Sequence, residues 1–78
     1  MNNKIIGLNI EIARKERGLT QEQFAAQLQV AGCDISRGTL AKIEVGIREL
    51  KITELPIFLS LLKIDLKELY KESRQTHE

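Results

Sequence analysis

Three features of the 78-residue sequence predict an all-α fold. The first is a repeated helix-start pattern, in which an apolar residue precedes Ser, Thr or Asp and a second apolar residue follows that polar one by four. It occurs at Leu19-Thr20 with Phe24, Ile35-Ser36 with Leu40, Ile52-Thr53 with Ile57 and Ile64-Asp65 with Leu69. In such a pattern the polar oxygen accepts from an orphan backbone N–H, and the flanking apolar pair fixes the entry of the chain. The second feature is the placement of glycines at positions 18, 32 and 46, each where a helix should stop. The third is that no alternating apolar–polar run is long enough to build a sheet.

The elements follow in order. A first helix is expected over about 4–17, where there is no proline and Gly7 is the one glycine. Ile6, Ile10 and Ala13 share a face at helical spacing, and Gly18 closes the helix. A second helix, 21–31, opens on Thr20, with Gln23 completing a capping box, and buries Phe24, Ala25 and Leu28. A third, 37–45, opens on Ser36 and turns Leu40 and Ile43 inward. A fourth, 54–62, opens on Thr53 with Pro56 in its first turn, where the missing N–H costs little. Leu55, Ile57, Phe58, Leu59, Leu61 and Leu62 make it apolar almost all round, which predicts the buried centre of the domain. A fifth, 66–72, opens on Asp65 with Glu68 as its capping-box partner, and a polar tail over 73–78 is expected to fray. The whole chain, 1–78, reads as one domain, and at this size its core is marginal.

Composition removes several functions. With 42% hydrophobic and 29% charged residues the chain is globular rather than disordered. One cysteine, Cys33, cannot form an intrachain disulfide, and a reducing, cytoplasmic compartment is the simplest reading. One histidine, His77 in the tail, and one cysteine cannot supply a four-ligand zinc site, so no metal and no cofactor are expected. The apolar stretch from 55 to 62 is too short for a membrane span, and residues 1–4 lack the apolar region of a signal peptide. A catalytic role is not expected: a His-centred triad cannot be assembled, no Gly-rich phosphate loop occurs, and the carboxylates lie scattered at surface-like helical positions. Cys33 sits in a loop beside Asp34, which raises rather than lowers a thiol pKa and makes it a bland loop residue.

The informative region is 18–49. On the third helix the outward side carries Arg37, Gly38, Ala41, Lys42 and Val45. A short helix with small residues and cations on its free face can approach another surface closely, and its N-terminus offers N–H groups to phosphate. That suits insertion into a DNA major groove. An ordinary solvated helix face is the competing reading, although such a face is normally richer in Glu and Gln. Periodicity alone leaves the two level.

The residues also resemble a known family. The run Arg14 to Arg17, then Gly18-Leu19-Thr20-Gln21, followed by Ser36-Arg37-Gly38-Thr39-Leu40-Ala41-Lys42-Ile43-Glu44 and Gly46, is similar to the Cro and lambda-repressor type (XRE-like) of helix-turn-helix DNA-binding domain. The resemblance covers about 6–70 and implies a compact five-helix lambda-repressor-like domain whose second and third helices read DNA. It implies that Gln21 contacts a phosphate and supports a neighbouring base-reading side chain, and that Thr20 caps the same helix near the DNA backbone. By the same resemblance, Arg37, Gly38 and Lys42 of the helix opened by Ser36 face base edges. Thr39 lies near the phosphates and Arg48 in a backbone-contacting loop. Arg14 and Glu44 match an internal ion pair that is structural. Two departures stand out: Gln29 and a longer connection over 30–35 replace the family's tight turn, and Gly38 removes a side chain from a main reading position.

The expected partner is double-stranded DNA bearing a palindromic operator, bound by a homodimer, since one reading helix covers half a site. Two surfaces could pair: the C-terminal helix with Leu66, Leu69 and Tyr70, or a second apolar stripe on helix one, Ile5, Leu8 and Ile12, whose alternative is packing against the C-terminal helix of the same chain. The function expected is a sequence-specific transcriptional regulator acting as a repressor. The alternative is a helical protein-interaction module, an antitoxin or adaptor subunit, that keeps the fold without DNA binding. The net charge of +1 suits either. It averages a modestly basic middle, with seven cations and five anions between Arg14 and Lys51, and a slightly acidic remainder, with four and five from Ile52 onward.

Overall fold

In the computed structural model, which describes residues 2–72, the chain forms five helices joined by short connections. They are α1 (Asn3–Glu16), α2 (Gln21–Val30), α3 (Arg37–Glu44), α4 (Leu55–Leu62) and α5 (Leu66–Leu69). There is no strand among the described residues. The expected tail lies outside them, as does His77.

The local signals act through identifiable hydrogen bonds. Thr20 and Gln23 form a reciprocal capping box, with Gln23 N donating to Thr20 Oγ1 at 3.0 Å and Thr20 N to Gln23 Oε1 at 2.9 Å. Ser36 accepts from Thr39 N and Asp65 from Glu68 N. Gly18, Gly32 and Gly46 all take positive φ at helix ends, at 74°, 92° and 86°, a region closed to most side chains. Helix α1 has a cap the sequence reading did not assign: Asn2 Oδ1 accepts from Lys4 N and Ile5 N.

Three expectations are corrected. Thr53 does not cap α4. Its N3 partner would be Pro56, which has no N–H to donate, and Leu55 N is already bonded to Lys51 O. Residues 52–54 form a turn instead, and Glu54 takes the cap position in the αR region without a side-chain cap bond. The fifth helix ends at Leu69 rather than 72, with Tyr70 as its C-cap. Nor is α4 the buried centre: only Phe58 and Leu62 are fully buried, while Leu55, Ile57, Leu59 and Leu61 are half-buried against the core. Ile6, Ile10 and Ala13 of α1, Phe24 and Leu28 of α2, and Leu40 and Ile43 of α3 pack with them, and Phe24 meets Phe58 edge to face at 5.5 Å.

The connection over 31–36 is well tied. Cys33 and Ile35 plug into the core, Cys33 N donates to Leu28 O, and Gln29 Nε2 reaches across to Ile35 O at 3.2 Å. Gln29 therefore spans the lengthened turn. The thiol of Cys33 is pushed up from its ordinary value, first by burial and then by Glu54, with Asp34 the smallest cause and Arg48 opposing.

Two residues of α1 set how the other helices sit. Gly7 lies against the C-terminal end of α3 so closely that a Cβ there would be 2.2 Å from Ile43 O and 2.5 Å from Glu44 O. Asn9 is buried and donates through Nδ2 to the carbonyls of Leu69 (2.7 Å) and Lys71 (2.9 Å), which closes the end of α5 onto α1. An Asn on the stripe of Ile6, Ile10 and Ala13, where an apolar residue is expected, is the sequence signal for this bond. The stripe Ile5, Leu8 and Ile12 is half-buried. At the start of α1, Asn2, Ile5 and Ile6 share a shallow apolar cleft with Tyr70 and Glu72.

Candidate nucleic-acid interface

The outward face of α3 is formed as its periodicity requires. Leu40 and Ile43 hold the helix in the core, Arg37, Gly38, Lys42 and Val45 are exposed, and Ala41 is half-buried. Ser36 caps the N-terminus and donates to Thr39 Oγ1 at 3.2 Å, which fixes the half-buried Thr39 hydroxyl at the first turn. Gly38 opens the face completely: the nearest atom to a Cβ built there is Ser36 Oγ at 3.9 Å.

The N-terminus of α2 lies beside this face. Exposed Thr20, half-buried Gln21 and exposed Glu22 line a polar depression with Arg37 and the edge of Arg14. Below it, Arg14 and Glu44 form a fork-to-fork ion pair, with Nε donating to Oε2 at 2.7 Å and Nη2 to Oε1 at 3.1 Å. Both side chains are almost wholly buried, at 7% and 2% exposure, so the pair acts in a poorly screened setting. Arg14 Nη1 also donates to Leu19 O, which ties the turn before α2 to α1 and α3. Gln21 bridges outward from this pair: its Nε2 donates to Glu44 Oε1 at 2.9 Å, and its Oε1 accepts from Arg37 Nη1 at 3.2 Å.

The structure thus gathers Thr20, Gln21, Ser36, Arg37, Gly38 and Thr39 around two neighbouring helix N-termini, with Lys42 one turn further along α3. Arg48 stands apart from this group. It lies half-buried in the loop after α3, paired with Glu54 at 2.6 and 2.9 Å and donating to Glu49 O at 2.8 Å. The Arg48 hydrogen bond holds the Glu54 carboxyl below its ordinary value against the opposing effect of burial. Glu54 also accepts from Lys51 N, so the pair braces the turn into α4. Nothing in the sequence separates Glu54 from the other surface-like carboxylates, since its partner Arg48 is met only through the fold of the turn before α4.

Among the described residues no group of His, Cys, Asp or Glu could hold a metal ion, and no helix is long and apolar enough to cross a membrane.

Two short capped helices in sequence, the second with a free face of cations and small residues, define a helix-turn-helix domain. A helix-turn-helix family model matches residues 10–69, 60 of the 78 residues, from α1 to the last residue of α5. The chain belongs to this family, of the Cro and lambda-repressor type, and is a DNA-binding regulator of that class. Searches among curated proteins and among solved structures find no match.

Proposed function

We propose that the protein is a sequence-specific transcriptional repressor that binds a palindromic operator as a homodimer and inserts α3 in the major groove. The observation that carries this reading is the α3 face itself: Arg37, Gly38 and Lys42 are exposed at one side of a helix whose other side is locked in the core. Arg37 reads guanine through its bidentate fork, and Lys42 reaches a second base edge or its phosphate. Gly38 allows the backbone to approach the base pairs. Thr20, Ser36 and Thr39, with the free N–H groups of the two helix starts, meet the phosphates. Arg48 serves the DNA backbone only with the donors that its Glu54 pair leaves over. Two subunits supply the two half-sites, and a seated dimer represses by excluding other proteins from the same DNA.

An electrophoretic titration of random duplexes at low and high salt tests the DNA reading, and a selection from a random pool then gives the operator. Binding should fall steeply with salt, and the selected sites should be palindromic. Arg37→Ala should cost about 1–3 kcal/mol at one base position per half-site. No binding at low salt would remove the proposal in favour of a protein-interaction module with this fold, and a monomer mass by light scattering on the selected duplex would remove the dimer.

A further inference from the structure

We infer that Glu44, buried and out of reach of any ligand, is a positioning residue that sets the base preference of Arg37 by fixing which way the Gln21 amide faces. The inference rests on the DNA reading above and adds a specificity determinant to it.

An exposed glutamine is ordinarily free to turn its amide over, because oxygen and nitrogen are similar in size. Gln21 is not. Glu44 is an acceptor only, and its two oxygens already take Arg14 Nε and Nη2. The Gln21 group that faces Glu44 Oε1 at 2.9 Å must therefore be the donor, Nε2. Turning the amide over would set oxygen against a buried carboxylate and, at the other end, NH2 against the guanidinium now 3.2 Å away. Both contacts would be repulsive. The carboxylate cannot leave, since Glu44 is buried on α3 and held from two sides by Arg14.

The carbonyl of Gln21 consequently faces the start of α3, and it calls for a donor there. Arg37, which carries five donors and no acceptor, fits. One Nη1 hydrogen is held by Gln21, which leaves the exposed fork with further donors on Nη1, Nη2 and Nε. A guanidinium held this way presents paired donors to the O6 and N7 acceptors of guanine without first losing its rotational freedom. Arg37 alone, unheld, would meet a phosphate as readily as a base.

The test compares selections from a random duplex pool for the wild-type chain, Gln21→Met and Glu44→Gln, below each variant's melting temperature. Met keeps the length and helix propensity of Gln21 but offers no carbonyl. Gln at position 44 removes the fixed acceptor, so the Gln21 amide can turn. The wild-type chain should prefer guanine by roughly five- to hundredfold at the Arg37 position. Both variants should lose that preference while keeping the preferences at the other positions. A merely structural role for Glu44 would weaken all sequences alike. Retention of the guanine preference in either folded variant overturns the inference, and so does a uniform loss with an unchanged preference profile. Should Glu44→Gln fail to fold, Gln21→Met still decides on the base preference, and nitrogen-15 spectra of the wild-type chain must show the Gln21 side-chain amide slowed in hydrogen exchange; a fast-exchanging amide overturns the inference. A wild-type chain that enriches no sequence would instead remove the DNA reading, and this inference with it.

Discussion

Glycine occurs twice within the helices, at Gly7 of α1 and Gly38 of α3, and the same substitution should act on stability with opposite sign at the two places. Alanine is favoured over glycine by up to about 1 kcal/mol in a helix interior, so propensity alone would stabilise both variants. At Gly7 the added methyl would lie 2.2 Å from Ile43 O, where ordinary contact begins at 3.4 Å, a shortfall of about 1.2 Å. The atoms in the way are backbone carbonyl oxygens and cannot rotate aside. Helices α1 and α3 must then part by a comparable distance, loosening Ile6 and Ile10 against Ile43 and stretching the 2.7 Å Arg14–Glu44 bond. Overpacking of this kind costs about 1–3 kcal/mol and sometimes more, and a stretched buried pair adds to it. We expect Gly7→Ala to be destabilised by about 2 kcal/mol net, lowering Tm by about 8–16 °C for a domain of this size. Gly38→Ala meets nothing nearer than 3.9 Å and should gain about 0.5 kcal/mol, raising Tm by a few degrees. Thermal melts followed by far-ultraviolet circular dichroism, with urea titrations to convert Tm into free energy, measure both. A Gly7→Ala protein that melts at or above the wild-type temperature would refute the close approach of the two backbones.

Three further outcomes are expected. Glu44→Ala leaves the Arg14 guanidinium buried without its carboxylate and should lose about 3–5 kcal/mol by urea titration, whereas Arg14→Met with Glu44→Leu should recover much of that loss; equal losses in the two proteins would count against the pair being desolvated. Glu54 titrates lower in the folded chain than its ordinary 4.5, so its contribution is complete above that value and lost as pH falls through it toward the folded value. The acid limb of the stability profile should accordingly be shallower in Arg48→Ala, and an unchanged limb would show that Arg48 is not the cause. Burial raises the Cys33 thiol, so iodoacetamide should label the native chain far more slowly at mildly alkaline pH than the chain in urea; equal rates would contradict a plugged 31–36 connection.

Much of this architecture is local chemistry that a sequence displays. Thr20 with Gln23, Ser36, Asp65 and the three positive-φ glycines each act within a few residues of themselves, and each is seen in its expected place. Thr53 shows where such reading stops, because a cap needs its donor as well as its acceptor and Pro56 has none. The apolar run of α4 misled for another reason: a helix that is apolar all round is buried in a large protein, but in a short chain part of it remains at the surface. The pairings that shape the candidate interface are long-range. Arg14 with Glu44 was legible through family resemblance, while Glu44 with Gln21, and Asn9 with the end of α5, depend on how three helices meet and leave only faint marks, such as a polar residue on a core stripe.

The cleft shared by Asn2, Ile5, Tyr70 and Glu72 has a practical consequence. It brings the two ends of the described chain together at the start of α1, whereas Arg14, and with it Gln21 and Arg37, sits toward the other end of that helix. From Ile5 to Arg14 the rise of the helix is about 14 Å. A fluorophore attached at Asn2 or Glu72 would thus lie by that cleft, well away from the Gln21–Arg37 end of the interface.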